Sequence, residues 1–195
     1  MHDIRTSEQE AAEDIFFGQV VIIYARWFVV ISMTILALWS SDSISQMVLG
    51  IAFVVPLIAL NFFVHARYLM EKPANRLLLI LLGVIDAVSI TLIITFWPGD
   101  NGFHSQFYVL YYPIVLAFAF VFPVRVSGIY TAFVLLIYAG AVLFVDAAVL
   151  LNGADAERLV IRAVTLAAMG MLAAYYYRIL RKRRHAELNP DLGAV

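Results

Sequence analysis

Hydrophobic residues in this chain fall into six runs separated by short polar segments. The runs cover residues 15–39, 46–64, 77–97, 105–122, 126–145 and 159–177. A helix that crosses a hydrocarbon core of about 30 Å needs about 20 such residues. The pattern therefore predicts an all-α, polytopic membrane protein built as a six-transmembrane-helix bundle.

The polar residues divide the chain into three predicted parts and orient it. Residues 1–14 form a charged N-terminal segment, residues 15–180 the transmembrane domain, and residues 181–195 a basic tail. Lys and Arg concentrate in residues 1–14, in residues 65–76, at Arg125 and after residue 177, whereas Arg158 lies among acidic residues. Because cytoplasmic segments are enriched in Lys and Arg, both termini are expected in the cytoplasm.

Composition excludes several classes of protein. Hydrophobic residues make up 64% of the chain and charged residues 14%, which does not fit a soluble domain. The chain has no cysteine, so disulfides and thiolate metal sites are excluded. It also has no Walker loop, no HExxH or GxSxG motif and no clustered metal ligands. We expect neither an enzyme nor a metal site, and no nucleic-acid partner.

Asp86 lies within the third run, where a carboxylate costs about 2.5–3.5 kcal/mol on insertion scales and so usually faces protein. Tyr138 and Tyr112 are predicted at a similar depth, and either hydroxyl could donate a hydrogen bond to this carboxyl, which may then be neutral or hydrogen-bonded. The alternatives are a polar switch or ligand contact on one side, and a hydrogen bond that merely joins two helices on the other.

Two arginines also interrupt apolar runs. If the first span begins near Tyr24, Arg26 extends to the lipid headgroups, which is the favoured interpretation; if the helix enters at Phe16, Arg26 lies inside it. Arg162 lies near one end of the sixth run. It could reach the headgroups, pair with an acidic residue of 146–157, or bind an anionic ligand.

The connection between the third and fourth runs is rich in aromatic residues. His104, near Trp97 and Phe107, could contact a quinone or sense pH, or could be an ordinary interfacial histidine. Paired histidines at matching depth are absent from the sequence pattern, so b-haem is not expected. The candidate ligand-binding residues are Asp86, His104, Phe107, Tyr111, Tyr112 and Tyr138.

The last run combines small residues with a terminal tyrosine triplet. Ala167, Gly170 and Ala174 permit close approach of another helix, either within the bundle or in a dimer. Residues 175–177 precede the basic tail and resemble an aromatic belt with a basic anchor for anionic lipid. Membrane lipids, a second copy of the chain or a larger complex are the expected partners.

Residues 84–145 resemble the six-span membrane regions of bacterial sensor histidine kinases, including redox-responding ones. Those regions carry a central Asp in the third span, an outer loop of the form Gly-Gly-x-x-(Ser/Asn)-Pro-Phe, and an aromatic fourth span. The matching residues here are Asp86, Gly102, Ser105, Phe107, Tyr108, Tyr111 and Tyr112, with Asn101 and Gln106 in place of the first glycine and the proline. The resemblance implies the bacterial inner membrane and quinone as a candidate ligand.

These observations favour a non-catalytic sensory or signal-input module without a kinase domain. The chain would be either the membrane domain of a longer receptor or a stand-alone relative. An alternative is an accessory structural subunit of a respiratory or photosynthetic membrane complex. A small transporter is a third hypothesis and would require a water-accessible path to Asp86.

Overall fold

The structure, a computed structural model, describes the backbone of residues 2–70, 72, 74–99 and 101–188. Side chains are described for residue 16 and for residues 18–179 within those ranges. Asp100 and the side chains of His2 and His185 lie outside the described residues, as do residues 189–195 of the predicted tail. The described part of the chain is entirely helical, with no strand.

Six α-helices make up the bundle. They are α1 (His2–Trp39), α2 (Ile44–Leu69), α3 (Arg76–Phe96), α4 (Tyr111–Val121), α5 (Val124–Val145) and α6 (Gly153–Leu188). Short 3₁₀ helices occupy Gly102–His104, Gln106–Leu110 and Ala147–Leu150. Polar side chains begin several of these helices, since Ser43 accepts a hydrogen bond from the Gln46 backbone N–H and Asn75 accepts one from that of Leu77.

Five of the described helices are long and apolar enough to cross a membrane. These segments are Gly18–Trp39, Ile44–Leu69, Arg76–Phe96, Val124–Val145 and Gly153–Ile179. Large apolar side chains on their outer faces are exposed, including Leu136 and Phe144 of α5 at 73% and 78%. Lipid is the environment that suits such a surface, and the chain is accordingly a multi-pass membrane protein.

The fourth apolar run is shorter and lies at the centre of the bundle. It forms Gln106–Val121, in which a 3₁₀ helix leads into α4. Helix α4 packs against α1, α3, α5 and α6. Because protein surrounds it on most sides, its irregular first turns are not left facing lipid. Pro113 lies in the first turn of α4, where its missing N–H leaves no hydrogen bond unmade, so it does not kink the helix as expected.

Contacts between distant residues define two ends of the bundle. At one end, Arg162 of α6 bonds to the Phe103 carbonyl, and Gln46 of α2 bonds to that of Pro98; we call this the Phe103 end. At the other end, the Gln19 side chain of α1 donates to the Val64 carbonyl and accepts from the Ala74 N–H. The α4–α5 turn lies at this second end, which we call the Arg125 end.

Candidate functional site

The structure separates the candidate residues into two groups. Asp86 lies at the middle of α3 and is joined to Arg26 of α1; we call these two residues the buried ion pair. The aromatic candidates lie toward the Phe103 end instead. There, Arg162, Phe103, Tyr108 and Tyr138 form what we call the Arg162 cluster.

The buried ion pair joins α1 to α3 inside the bundle. Arg26 Nη1 lies 3.0 Å from Asp86 Oδ2 and 3.4 Å from the Leu82 carbonyl oxygen. The two residues are only 3% and 5% exposed. Charges at such depth are tolerated when they pair, because an isolated charge would lose its hydration without compensation.

Two expectations about these residues are wrong. Arg26 does not extend to the headgroups, because α1 continues without a break and the membrane-length segment already begins at Gly18, which places Arg26 inside the bundle. Neither Tyr138 nor Tyr112 donates to Asp86, whose described side-chain hydrogen bond comes from Arg26. The tyrosine nearest this level, Tyr130, donates instead to the Gly83 carbonyl at 2.8 Å.

A small cavity borders both charged groups. Its volume is about 20 Å³, and it is lined by Arg26 and Asp86 together with apolar residues of α1, α3 and α4. Nε and Nη2 of Arg26 have no hydrogen-bond partner among the described atoms. A space of this size suits about one water molecule, and the neighbouring donors give it polar walls. Within the pair itself, the geometry fits a structural link whose loss would expose one uncompensated charge.

Arg162 lies at the centre of the second group. Its Nη1 donates to the Phe103 carbonyl at 2.8 Å and to the Tyr138 hydroxyl at 3.0 Å. Its guanidinium carbon lies 3.8 Å from the centroid of the Tyr108 ring and 4.7 Å from that of Phe103. Cation–π stacking of this kind adds about 0.5–2 kcal/mol, most where water is excluded.

The expected acidic partner of Arg162 is therefore replaced by a carbonyl, a hydroxyl and two rings. The acidic residues nearby have other partners. Asp146 accepts from the Ala148 N–H at 2.9 Å, and Asp155 lies 3.7 Å from Arg158. Headgroup contact by Arg162 is also not what the structure has, since the side chain turns inward between α5 and the segment that follows α3.

The tyrosines form a continuous set of ring contacts beneath Arg162. Tyr108 stacks on Tyr138 at 6.3 Å and meets Tyr112 at 6.2 Å, while Tyr111 meets Tyr138 at 5.7 Å. The Tyr111 hydroxyl also shares a 2.6 Å hydrogen bond with Thr91 of α3. These contacts connect α3, α4, α5 and α6 at one level of the bundle.

Accessibility distinguishes residues that can meet a ligand from those that support them. Phe107, Tyr111 and Tyr138 are at most 2% exposed, so they form the floor of the site. His104 is exposed, and Tyr112 is half-buried. A molecule arriving from the surface would reach these two first, together with the half-buried Tyr108 and Arg162.

The loop motif quoted above has a local structural explanation. Gly102 has φ of +60°, and a Cβ atom there would lie 2.8 Å from Val145, so glycine suits the position on both counts. The Ser105 hydroxyl accepts from the Phe107 N–H at 3.3 Å. Phe107 then packs on Trp97 with ring centroids 5.1 Å apart. The motif thus fixes the loop whose Phe103 carbonyl bonds to Arg162.

Sequence reasoning missed Tyr108 and the two arginines as site residues. The available signal was charge: Arg26 and Asp86 are opposite charges within two apolar runs, and such residues tend to pair. Among the described residues, no group of three or more His, Asp or Glu side chains could hold a metal ion. No protein-family model, curated protein or solved structure matches the chain.

Proposed function

We propose that the chain is a non-catalytic sensory or signal-input module of the bacterial inner membrane. In this proposal it crosses the membrane six times, Gln106–Val121 being the fourth span, with both termini in the cytoplasm. A quinone or another lipophilic ligand contacts the Arg162 cluster. The observation that carries the proposal is the hydrogen bond from Arg162 of α6 to the Phe103 carbonyl, which couples the ligand-accessible loop to the helix that leads into the basic tail.

Helix α6 is suited to transmit a change along the molecule. It runs without interruption from Gly153 to Leu188. From Arg162 to the end of the helix this amounts to about 39 Å at a rise of about 1.5 Å per residue. A displacement at the Phe103 end would therefore be delivered to residues 181–188 at the other end, where the chain turns strongly basic.

A quinone would have differential contacts with two arrangements of the cluster, which is what a ligand needs in order to shift an equilibrium. Its carbonyl oxygen could accept from Arg162 Nη1 in place of the Phe103 carbonyl or the Tyr138 hydroxyl. Its ring could stack on Tyr108, which Arg162 now covers at 3.8 Å. Ligand binding would then release the loop from α6.

The proposed topology has a direct test, because the chain lacks cysteine and single-cysteine variants report unambiguously. Asn152→Cys, on the exposed turn before α6, should react with a membrane-impermeant maleimide applied to spheroplasts. Lys72→Cys should react only after the membrane is opened. Labelling of position 72 from the outside would overturn the topology.

Double electron–electron resonance tests the sensor proposal. Spin labels on Tyr177→Cys and Arg125→Cys report the position of α6 against α5 at the Arg125 end. Adding a short-chain ubiquinone should change this distance by about 1–2 Å, the scale of helix shifts in known switches. The shift should disappear in Arg162→Met, because the coupling bond is then missing.

A label pair on Lys72→Cys and Arg125→Cys gives the matched control and should not respond. An unchanged Tyr177–Arg125 distance with quinone and with native membrane extract would contradict the sensor. If the protein also co-purified stably with a larger complex, the accessory-subunit hypothesis would replace it.

A further inference from the structure

A groove on the lipid-facing surface lies between α5 and α6 at the Arg125 end. Its volume is about 370 Å³. Small residues from both helices form much of its lining, namely Gly128, Ala132, Ala167, Gly170 and Ala174. At Gly170 the two helices are in close contact, since a Cβ there would meet the Thr131 hydroxyl at 2.8 Å. At Gly128, by contrast, nothing lies within 4 Å, so the groove is open toward the surroundings.

The groove has the length of one membrane leaflet. It runs from Val124 to Leu135 on α5, or about 16 Å at a rise of about 1.5 Å per residue. This is roughly half of a hydrocarbon core of about 30 Å. It begins where both helices reach the membrane surface, because the apolar segments start at Val124 in α5 and end at Ile179 in α6. A single acyl chain of the adjacent leaflet fits these dimensions.

Positive charge marks the surface end of the groove. Arg178 lines it, and Arg125 directly follows Val124, another lining residue. Both arginine side chains are exposed. In the part of the chain whose side chains are described, no acidic residue pairs with Arg178. Tyr175, which also lines the groove, is 62% exposed and can share a headgroup contact.

We propose that this groove is a binding site for an anionic phospholipid, with one acyl chain along Gly128 and Ala132 and the phosphate on Arg178. A second copy of the chain fits the groove less well. Two copies in one membrane pair about an axis along the membrane normal, so each would bring its own basic end to the same place. Like charges would then meet at Arg178 and Arg125, whereas a lipid phosphate compensates them.

Native mass spectrometry of the full chain in mild detergent tests the site. The probes are dioleoylphosphatidylglycerol and dioleoylphosphatidylcholine, and the readouts are retained lipid and oligomeric state. We expect preferential retention of phosphatidylglycerol. Arg178→Gln should lower that retention about fivefold, the factor that one basic residue contributes near an anionic surface. Gly128→Leu should abolish it by filling the groove.

Gly140→Leu is the matched control for Gly128→Leu. Both glycines are exposed on α5 with nothing within 4 Å, but Gly140 does not line the groove. Gly140→Leu should retain lipid as the natural chain does. Equal retention by the two leucine variants would overturn the site. Equal retention of the two lipids by the natural chain would overturn the phosphate contact. A dimer that Gly128→Leu converts to monomer would assign the groove to a second copy instead.

Discussion

Asp86→Leu should lower the free energy of unfolding by about 3–5 kcal/mol, because it leaves the Arg26 guanidinium buried and unpaired. Arg26→Leu should cost a similar amount by leaving the carboxylate unpaired. The double variant should recover most of the loss, since replacing both members of a buried pair by apolar residues is often neutral. Unfolding titrations in mixed micelles measure all three variants. Single costs that simply add in the double variant would show that the two residues do not act as a pair.

Two further variants refine this prediction. Asp86→Asn keeps the shape but removes the charge that compensates Arg26, so we expect a loss of ~1–3 kcal/mol. A nearly silent Asp86→Asn would instead support the neutral carboxyl that sequence reasoning suggested. The exposed pair of Asp155 and Arg158, 3.7 Å apart, is the control. Removing either of its members should change stability by at most about 1 kcal/mol.

The sequence predicts the helices well because hydrophobic run length is a direct consequence of bilayer thickness. Five of the predicted runs correspond to helices of membrane-spanning length. The fourth run shows the limit of that signal. Its length resembles that of the others, yet residues Gln106–Leu110 form a 3₁₀ helix and only Tyr111–Val121 is α-helical. Packing by four neighbouring helices permits this, and run length carries no information about neighbours.

The candidate site was harder to predict, because its bonds join residues far apart in the chain. Arg162 and Phe103 are separated by 59 positions, and Arg26 and Asp86 by 60. The depth of Arg26 depended on where the first span begins, and the continuous helix α1 conceals that boundary. The inward position of Asp86 could be predicted from the cost of a carboxylate in lipid. Its partner could not, since that follows from how α1 and α3 pack.

Arg162→Met should lower the free energy of unfolding by about 1–3 kcal/mol and release the loop at the Phe103 end. The methionine keeps much of the apolar stem but removes the bonds to the Phe103 carbonyl and the Tyr138 hydroxyl, which are 2.8 and 3.0 Å long. It also removes the cation over Tyr108. Hydrogen exchange of residues 101–110 should accelerate, whereas exchange at the Gln19 contact at the far end should not.

Tyr138→Phe is the control that separates the two bonds, because it removes the hydroxyl but leaves Arg162 bound to the Phe103 carbonyl. We expect it to cost about 0.5–1.5 kcal/mol and to leave the loop protected. Arg162→Lys keeps the charge without the planar fork, and should restore stability only in part. If Arg162→Met left loop exchange unchanged, the loop would be held by Phe107 and Trp97 alone. The coupling between loop and α6 would then have no physical basis.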